Sequence, residues 1–104
     1  MSPALPDTDA DRLIHEPARR QIMTVLYAMD SADFLYLLGE TGLTKGNLSS
    51  HLSKLEAAGY VRIDKTFRGK VPLTICRLTR EGRQAFRSYR EYLKNVLATM
   101  KQRL

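Results

Sequence analysis

Between Thr44 and Gly59 the chain reads TKGNLSSHLSKLEAAG. The side chains there that can do chemistry are short hydrogen-bonding groups and ammonium ions. On a 3.6-residue helix, Asn47, Ser50, Ser53 and Lys54 share one side with Gly46 and Ala57, while Leu48, Leu52 and Leu55 form a stripe on the other. The polar side carries no acid, and Glu56, the one acid of the stretch, lies nearer the leucines. A helix that needs only solubility tends to mix Glu with Lys at i,i+4 spacing. A helix that approaches phosphates and base edges keeps acids away and its side chains short. Taken alone, the stretch fits an amphipathic core helix as well as a nucleic-acid-reading one. Thr44 stands where an N-cap hydroxyl accepts from the amide of Asn47, and Gly59 stands at the C′ position. The helix between them is about 14 residues and roughly 21 Å long, enough to cross a major groove.

Other chemistries find no residues to carry them. There is no Ser/His/Asp set, paired-carboxylate site or phosphate-cradling glycine loop, so the sequence does not read as an enzyme. His15, His51 and Cys76 are scattered without metal-ligand spacing, and no metal or cofactor is expected. His15, next to Glu16-Pro17, reads as structural. His51 either meets phosphate or borders the core. Cys76 is a small buried residue or a thiol sensor, with only Arg77 nearby to favour a thiolate. One cysteine excludes an intrachain disulfide.

The 104 residues are enough for one domain with a modest core, and their net charge of +6 is unevenly spread. Residues 1–43 hold three bases against seven acids, net −4; residues 44–104 hold fourteen against four, net +10. A positive field so concentrated is the footprint of a polyanionic partner, against the plainer alternative of a solvated basic surface. No apolar run is long enough to span a membrane, and MSPALPDTDADR has no signal-peptide core, so a cytoplasmic location is expected.

The elements that must position these groups follow from apolar periodicity and breakers. Residues 1–8, with Pro3 and Pro6, read as a disordered leader. A short helix starts at Asp9 and ends before Pro17, which suits the first turn of a second helix over about Ala18–Met29, with Ile22, Val25, Leu26 and Met29 on its buried face. Asp33 or Ser31 caps a third helix, Phe34 to about Glu40. Thr41-Gly42-Leu43 is then a tight turn into the helix at Thr44, which makes residues 33–59 a helix-turn-helix. Residues 60–78 alternate as a two-stranded hairpin whose turn, Thr66 to Pro72, carries Arg68 and Lys70 around Gly69. Thr79 caps a last helix running to about Leu104, in which Phe86, Tyr89, Leu93, Val96 and Met100 form a heptad-like seam. At roughly 37 Å it is too long for so small a domain to cover, and a helix of a second copy is its natural cover. Leu13 and Ile14 of the first helix are expected at the same interface. Tyr89 and Tyr92 are seam residues or the lining of an effector pocket; the sequence identifies no effector.

The fold class this implies is mainly α with a small β-hairpin wing: a winged helix-turn-helix with a long C-terminal dimerisation helix, one domain over residues 9–104. The sequence resembles the MarR/ArsR-type winged-helix transcriptional regulators over roughly residues 13–90. The likeness lies in LTKGNLSSHLSKLEAAGYVRIDKTFRGKVPLTICRLTREGRQAF, residues 43–86, whose HLxKLExAGYV exit and LTREG return are specific in combination, and in HEPARRQIMTVL, residues 15–26. The resemblance implies a homodimer that lays two recognition helices in successive major grooves of double-stranded DNA. It places DNA contacts at Thr44, Lys45, Asn47, Ser49, Ser50, His51 and Lys54 of the helix and at Arg68 and Lys70 of the wing tip. Two departures stand out. Gly46 occupies a position where a hydroxyl residue is frequent, and Ser50 and Ser53 stand where Arg or Lys is common, which removes bidentate Arg–guanine readout from the helix. The helix three sequence DFLYLLGE has no Cys or His for the metal site of some ArsR-type sensors. The expected function is a homodimeric, sequence-specific transcriptional regulator acting as a repressor. The alternative is a winged-helix protein-interaction or architectural module without a specific operator.

Overall fold

The computed structural model describes residues 9–103, so the leader assigned to residues 1–8 lies outside the described residues. In chain order the elements are α1 (Asp9–His15), α2 (Pro17–Met29), β1 (Ser31–Asp33), α3 (Phe34–Thr41), α4 (Lys45–Ala57), β2 (Val61–Arg68), β3 (Val71–Leu78) and α5 (Arg80–Arg103). Local chemistry sets most of the boundaries. Glu16 caps α2 by accepting from the Arg19 amide at 3.0 Å, with Pro17 in the first turn, where no partner is needed for a missing N–H. Asp33 caps α3 through the Tyr36 amide at 2.8 Å, and Gly42, at φ 66°, closes it in the left-handed region.

The sheet has three strands, ordered β1-β3-β2 and antiparallel throughout, rather than the two expected. Ser31-Ala32-Asp33, expected only as a helix break and cap, pairs with Arg77, Cys76 and Ile75 and covers the inner half of β3. The hairpin is also longer than expected. Its strands continue to Arg68 and resume at Val71, leaving only Gly69-Lys70 in the turn. Gly69, at φ 64°, occupies the first loop position, which favours glycine in a two-residue hairpin of type II′. Pro72 therefore sits inside β3, opposite Phe67. The pair next to a two-residue turn is hydrogen-bonded and the following pair is not, so Pro72 nitrogen faces away from β2. β1 does not reach that far, and no ladder donor is lost.

The core is built where α2, α3, α4 and the inner face of the sheet converge. Ile22, Met23, Leu26, Leu37, Leu48, Leu52, Leu55, Val61, Cys76 and Leu78 are all buried there. Burying a leucine contributes roughly 1.5–3 kcal/mol. Three leucines from α4 thus outweigh the poor helix propensity of its glycine and serines. Ile14, Phe86 and Tyr89, expected at a dimer interface, are instead enclosed in this protomer's own core, each 6% exposed or less. Tyr89 hydroxyl lies 2.8 Å from His15 Nδ1, which ties α5 to the end of α1. The same three-four periodicity serves an internal core and an interhelical seam alike, so spacing does not separate them.

The exit from α4 joins the start of α5. Gly59, at φ 82°, makes a Schellman close: its amide reaches the Glu56 carbonyl and the Tyr60 amide the Leu55 carbonyl, both at 2.9 Å. Thr79 then clamps the turn. Its amide donates to the Tyr60 carbonyl (3.0 Å), its hydroxyl donates to the Gly59 carbonyl (2.5 Å), and its Oγ1 accepts from the Gly82 amide (2.9 Å). Gly82 packs so closely that a Cβ there would collide with the Tyr60 carbonyl. The AGYV and LTREG segments are thus two halves of one joint, and that joint fixes the wing and α5 relative to α4.

Candidate nucleic-acid interface

The outer face of α4 begins at Thr44, whose Oγ1 accepts from the Asn47 amide at 3.1 Å. From there Lys45, Gly46, Asn47, Ser49, Ser50, Ser53 and Lys54 are all exposed, while Leu48, Leu52 and Leu55 turn inward. Gly46 has no structural need to be glycine: its φ is not positive, and nothing lies within 4 Å of where its Cβ would be. Its effect is to leave the backbone of the first helical turn bare.

His51 departs from this face. It is half-buried, with Nδ1 3.3 Å from Arg19 Nη1 and 3.6 Å from Glu16 Oε2. A guanidinium only donates, so toward Arg19 the ring nitrogen is an acceptor; a protonated ring turns its N–H to the carboxylate instead. Arg19 also donates through Nε to the Leu13 carbonyl at 2.6 Å, so this cluster anchors α4 to the α1–α2 elbow. Burial works against the Glu16 charge. The Arg19 amide, the charges of His51 and Arg19, and the Ala18 amide outweigh it and hold the carboxyl below its ordinary 4.5. The stability this adds is complete above that value and is lost as pH falls through the lowered one. His51 is placed to position the helix, and this cluster is the reading the structure favours over a phosphate contact.

Arg68 and Lys70 are exposed at the wing tip, where the strand register carries them clear of the helices. Between wing and helix runs an open groove of about 550 Å³, lined by Ser49, Leu52, Ser53 and Glu56 of α4, Phe34 of α3, and Ile63, Lys65 and Thr74 of the sheet. Sequence reasoning assigned no site role to Lys65 or Thr74, and it placed Ser53 on the polar face of the helix without naming it as a DNA contact. Alternation alone puts Lys65 on the same sheet face as Ile63, but only the packing of the sheet against α4 shows that it lines this groove. Glu56, placed near the leucines by the helical wheel, is exposed and faces this groove. Asp64 does not face it: on the outer side of the sheet it pairs with Arg62 (3.1 Å) and Arg77 (3.8 Å).

Among the described residues no three of His, Cys, Asp and Glu gather as metal ligands, and no helix is long and apolar enough to cross a membrane. Cys76 is fully buried; burial, then the carboxylates of Asp33 and Glu56, push its thiol up to about 11.

Residues 18–97 match the family model described as winged helix DNA-binding domain. The chain belongs to that family. An uncharacterized protein from Methanocaldococcus jannaschii is 38% identical over 79 residues, which are 75% of this chain and 85% of that one. The structure of a transcriptional regulator homologue from Pyrococcus horikoshii OT3 superposes with a TM-score of 0.81 at 29% identity, over 86% of this chain and 88% of that one. A MarR-family protein from Enterococcus faecalis V583 shares the winged helix fold at 21% identity, with a TM-score of 0.74 over 97% and 99% of the two chains. By family the chain is thus a winged helix DNA-binding domain, and it has the fold of the MarR-family protein.

Proposed function

We propose that this protein is a homodimeric repressor that binds a pseudo-palindromic site in double-stranded DNA and acts in the cytoplasm. The observation that carries the reading is the outer face of α4, which is exposed and free of acids from Thr44 to Lys54 and is continued by Arg68 and Lys70 on the wing. Lys45, Lys54, Arg68 and Lys70 contact phosphates, with Thr44, Ser49 and Ser50 alongside. Asn47 reads an adenine edge through its amide. Affinity comes mainly from the phosphates, and specificity from Asn47, the serines and DNA shape.

The second copy is supplied by the far end of α5. Leu97 and Met100 are 61% and 52% exposed there, next to half-buried Leu93 and Val96. With Leu13, these replace the wider set read from the seam. The two recognition helices then meet half-sites about one helical turn, 10–10.5 base pairs, apart.

Selection from a random-sequence duplex library at two salt concentrations tests this reading. The expected product is an enriched inverted repeat whose binding weakens steeply with salt. Salt-dependent binding with no enriched sequence would replace it with an architectural role, and no binding at low salt would leave a protein-interaction module.

A further inference from the structure

Phe67 is 69% exposed, on a wing tip whose neighbours are cations. The register places it opposite Pro72, on the sheet face that carries Val61, Ile63 and Cys76 inward and Lys65 and Thr74 along the groove beside α4. Phe67 and Pro72 are the next pair out on that face, just past the groove. They form a non-hydrogen-bonded pair, the arrangement that brings opposite side chains closest, so the phenyl ring has a rigid proline beside it. The two-residue Gly69-Lys70 turn stiffens the tip further. Val71 is also exposed, but its register partner is Arg68 and it lies on the opposite face, so the two do not merge into one apolar patch.

We propose that Phe67, backed by Pro72, is an apolar wedge that enters the minor groove of the bound duplex, partly unstacks one base step and bends the DNA. The proposal rests on the DNA-binding reading of the winged face and adds an uncharged contact to it. Duplex DNA is the occupant because Lys65 shares the ring's face of the sheet, Arg68 and Lys70 add positive charge at the same wing tip, and the face continues that of α4. An apolar side chain on a cationic tip suits the narrow, strongly negative minor groove. Aromatic and aliphatic wedges that enter it kink the duplex toward the major groove and open the groove for the element that carries them.

The test uses the full chain and a duplex of about 30 base pairs carrying the top-ranked sequence from the selection. End-attached fluorophores report the bend, and 2-aminopurine moved step by step through the flanking minor groove reports unstacking. The native protein should bend the duplex by roughly 20–90° and brighten the fluorescence at one step. Phe67→Ala should lose both signals and about tenfold in affinity, the order of one aromatic stacking contact, with the salt slope unchanged because no charge is removed. Phe67→Met should keep the bend, since it is still an apolar wedge. Lys70→Ala should do the reverse of Phe67→Ala, flattening the salt slope while keeping the bend. Phe67→Ala that binds and bends like the native protein would overturn the proposal, as would a loss of affinity explained by dimer dissociation in sedimentation. A native protein that binds no duplex at all would remove the DNA-binding reading itself, and the wedge with it.

Discussion

Gly46 and Cys76 show at the residue scale what a side chain, or its lack, contributes. Gly46 sits in the first turn of α4 with open space around it and an ordinary helical φ, so the fold gains nothing from it. Gly46→Ala should raise stability in denaturant by about 0.5–1 kcal/mol. The same change should weaken DNA binding, because a methyl group then stands between the helix backbone and phosphate. A variant that gained stability and bound equally well would show that the first turn does not approach DNA. Cys76 is the opposite case, a reactive atom made inert by its surroundings. With its thiol pushed up to about 11, it stays protonated at neutral pH. An alkylating reagent at pH 8 should label native protein no faster than it unfolds, and rapid labelling would restore the thiol-sensor reading. The sign of the linkage is fixed: an acid with a raised folded value stabilises the native state below its ordinary 9.0, and that contribution is lost as pH rises toward 11.

The joint between α4, the wing and α5 is the determining feature at the element scale. Gly82→Ala forces a Cβ against the Tyr60 carbonyl, a backbone atom with no rotamer to yield, and should cost about 1–3 kcal/mol in thermal or chemical unfolding. A neutral result would mean that α5 does not pack against the α4 exit as described. Most of the elements were legible in the sequence because each carries its own signal. Leucines at three-four spacing mark α4, Thr44 and Gly59 mark its ends, and strict alternation marks the wing. The parts that were not legible depend on partners distant in the chain. Ser31-Ala32-Asp33 is too short for a strand signal and becomes one only through β3. The turn at Gly69 is tighter than its basic and proline-bearing surroundings suggest, since Pro72 is admissible in a strand only where no third strand covers it. Within the candidate site, the exposed polar face of α4 followed from helical periodicity. The inward turn of His51 depends on Glu16 and Arg19, more than thirty residues away, and no local pattern encodes it.

The whole molecule is elongated, 57 × 26 × 20 Å, with a radius of gyration of 15.3 Å against about 13 Å for a compact chain of its size. α5 accounts for this: its 24 residues span about 36 Å, and Leu97 and Met100 near its far end are left largely exposed by the described residues. In the proposed dimer they are covered by a second copy. Leu97→Lys with Met100→Lys should then yield a folded monomer in sedimentation. Losing the second recognition helix should lower affinity for a two-half-site operator about 100-fold or more, since bivalent attachment is lost. A double variant that stayed dimeric would move the interface elsewhere.

The central claim is that one face, made by the outside of α4 and the wing tip, lies on the DNA backbone. The measurement that tests it most directly is the salt dependence of duplex binding for the native protein, Lys54→Ala and Lys70→Ala. If the face is right, each variant binds more weakly and lowers the slope of log affinity against log salt by about one unit per phosphate contact removed. If both variants keep the native affinity and slope, the DNA lies on some other surface and the assignment of this face is wrong.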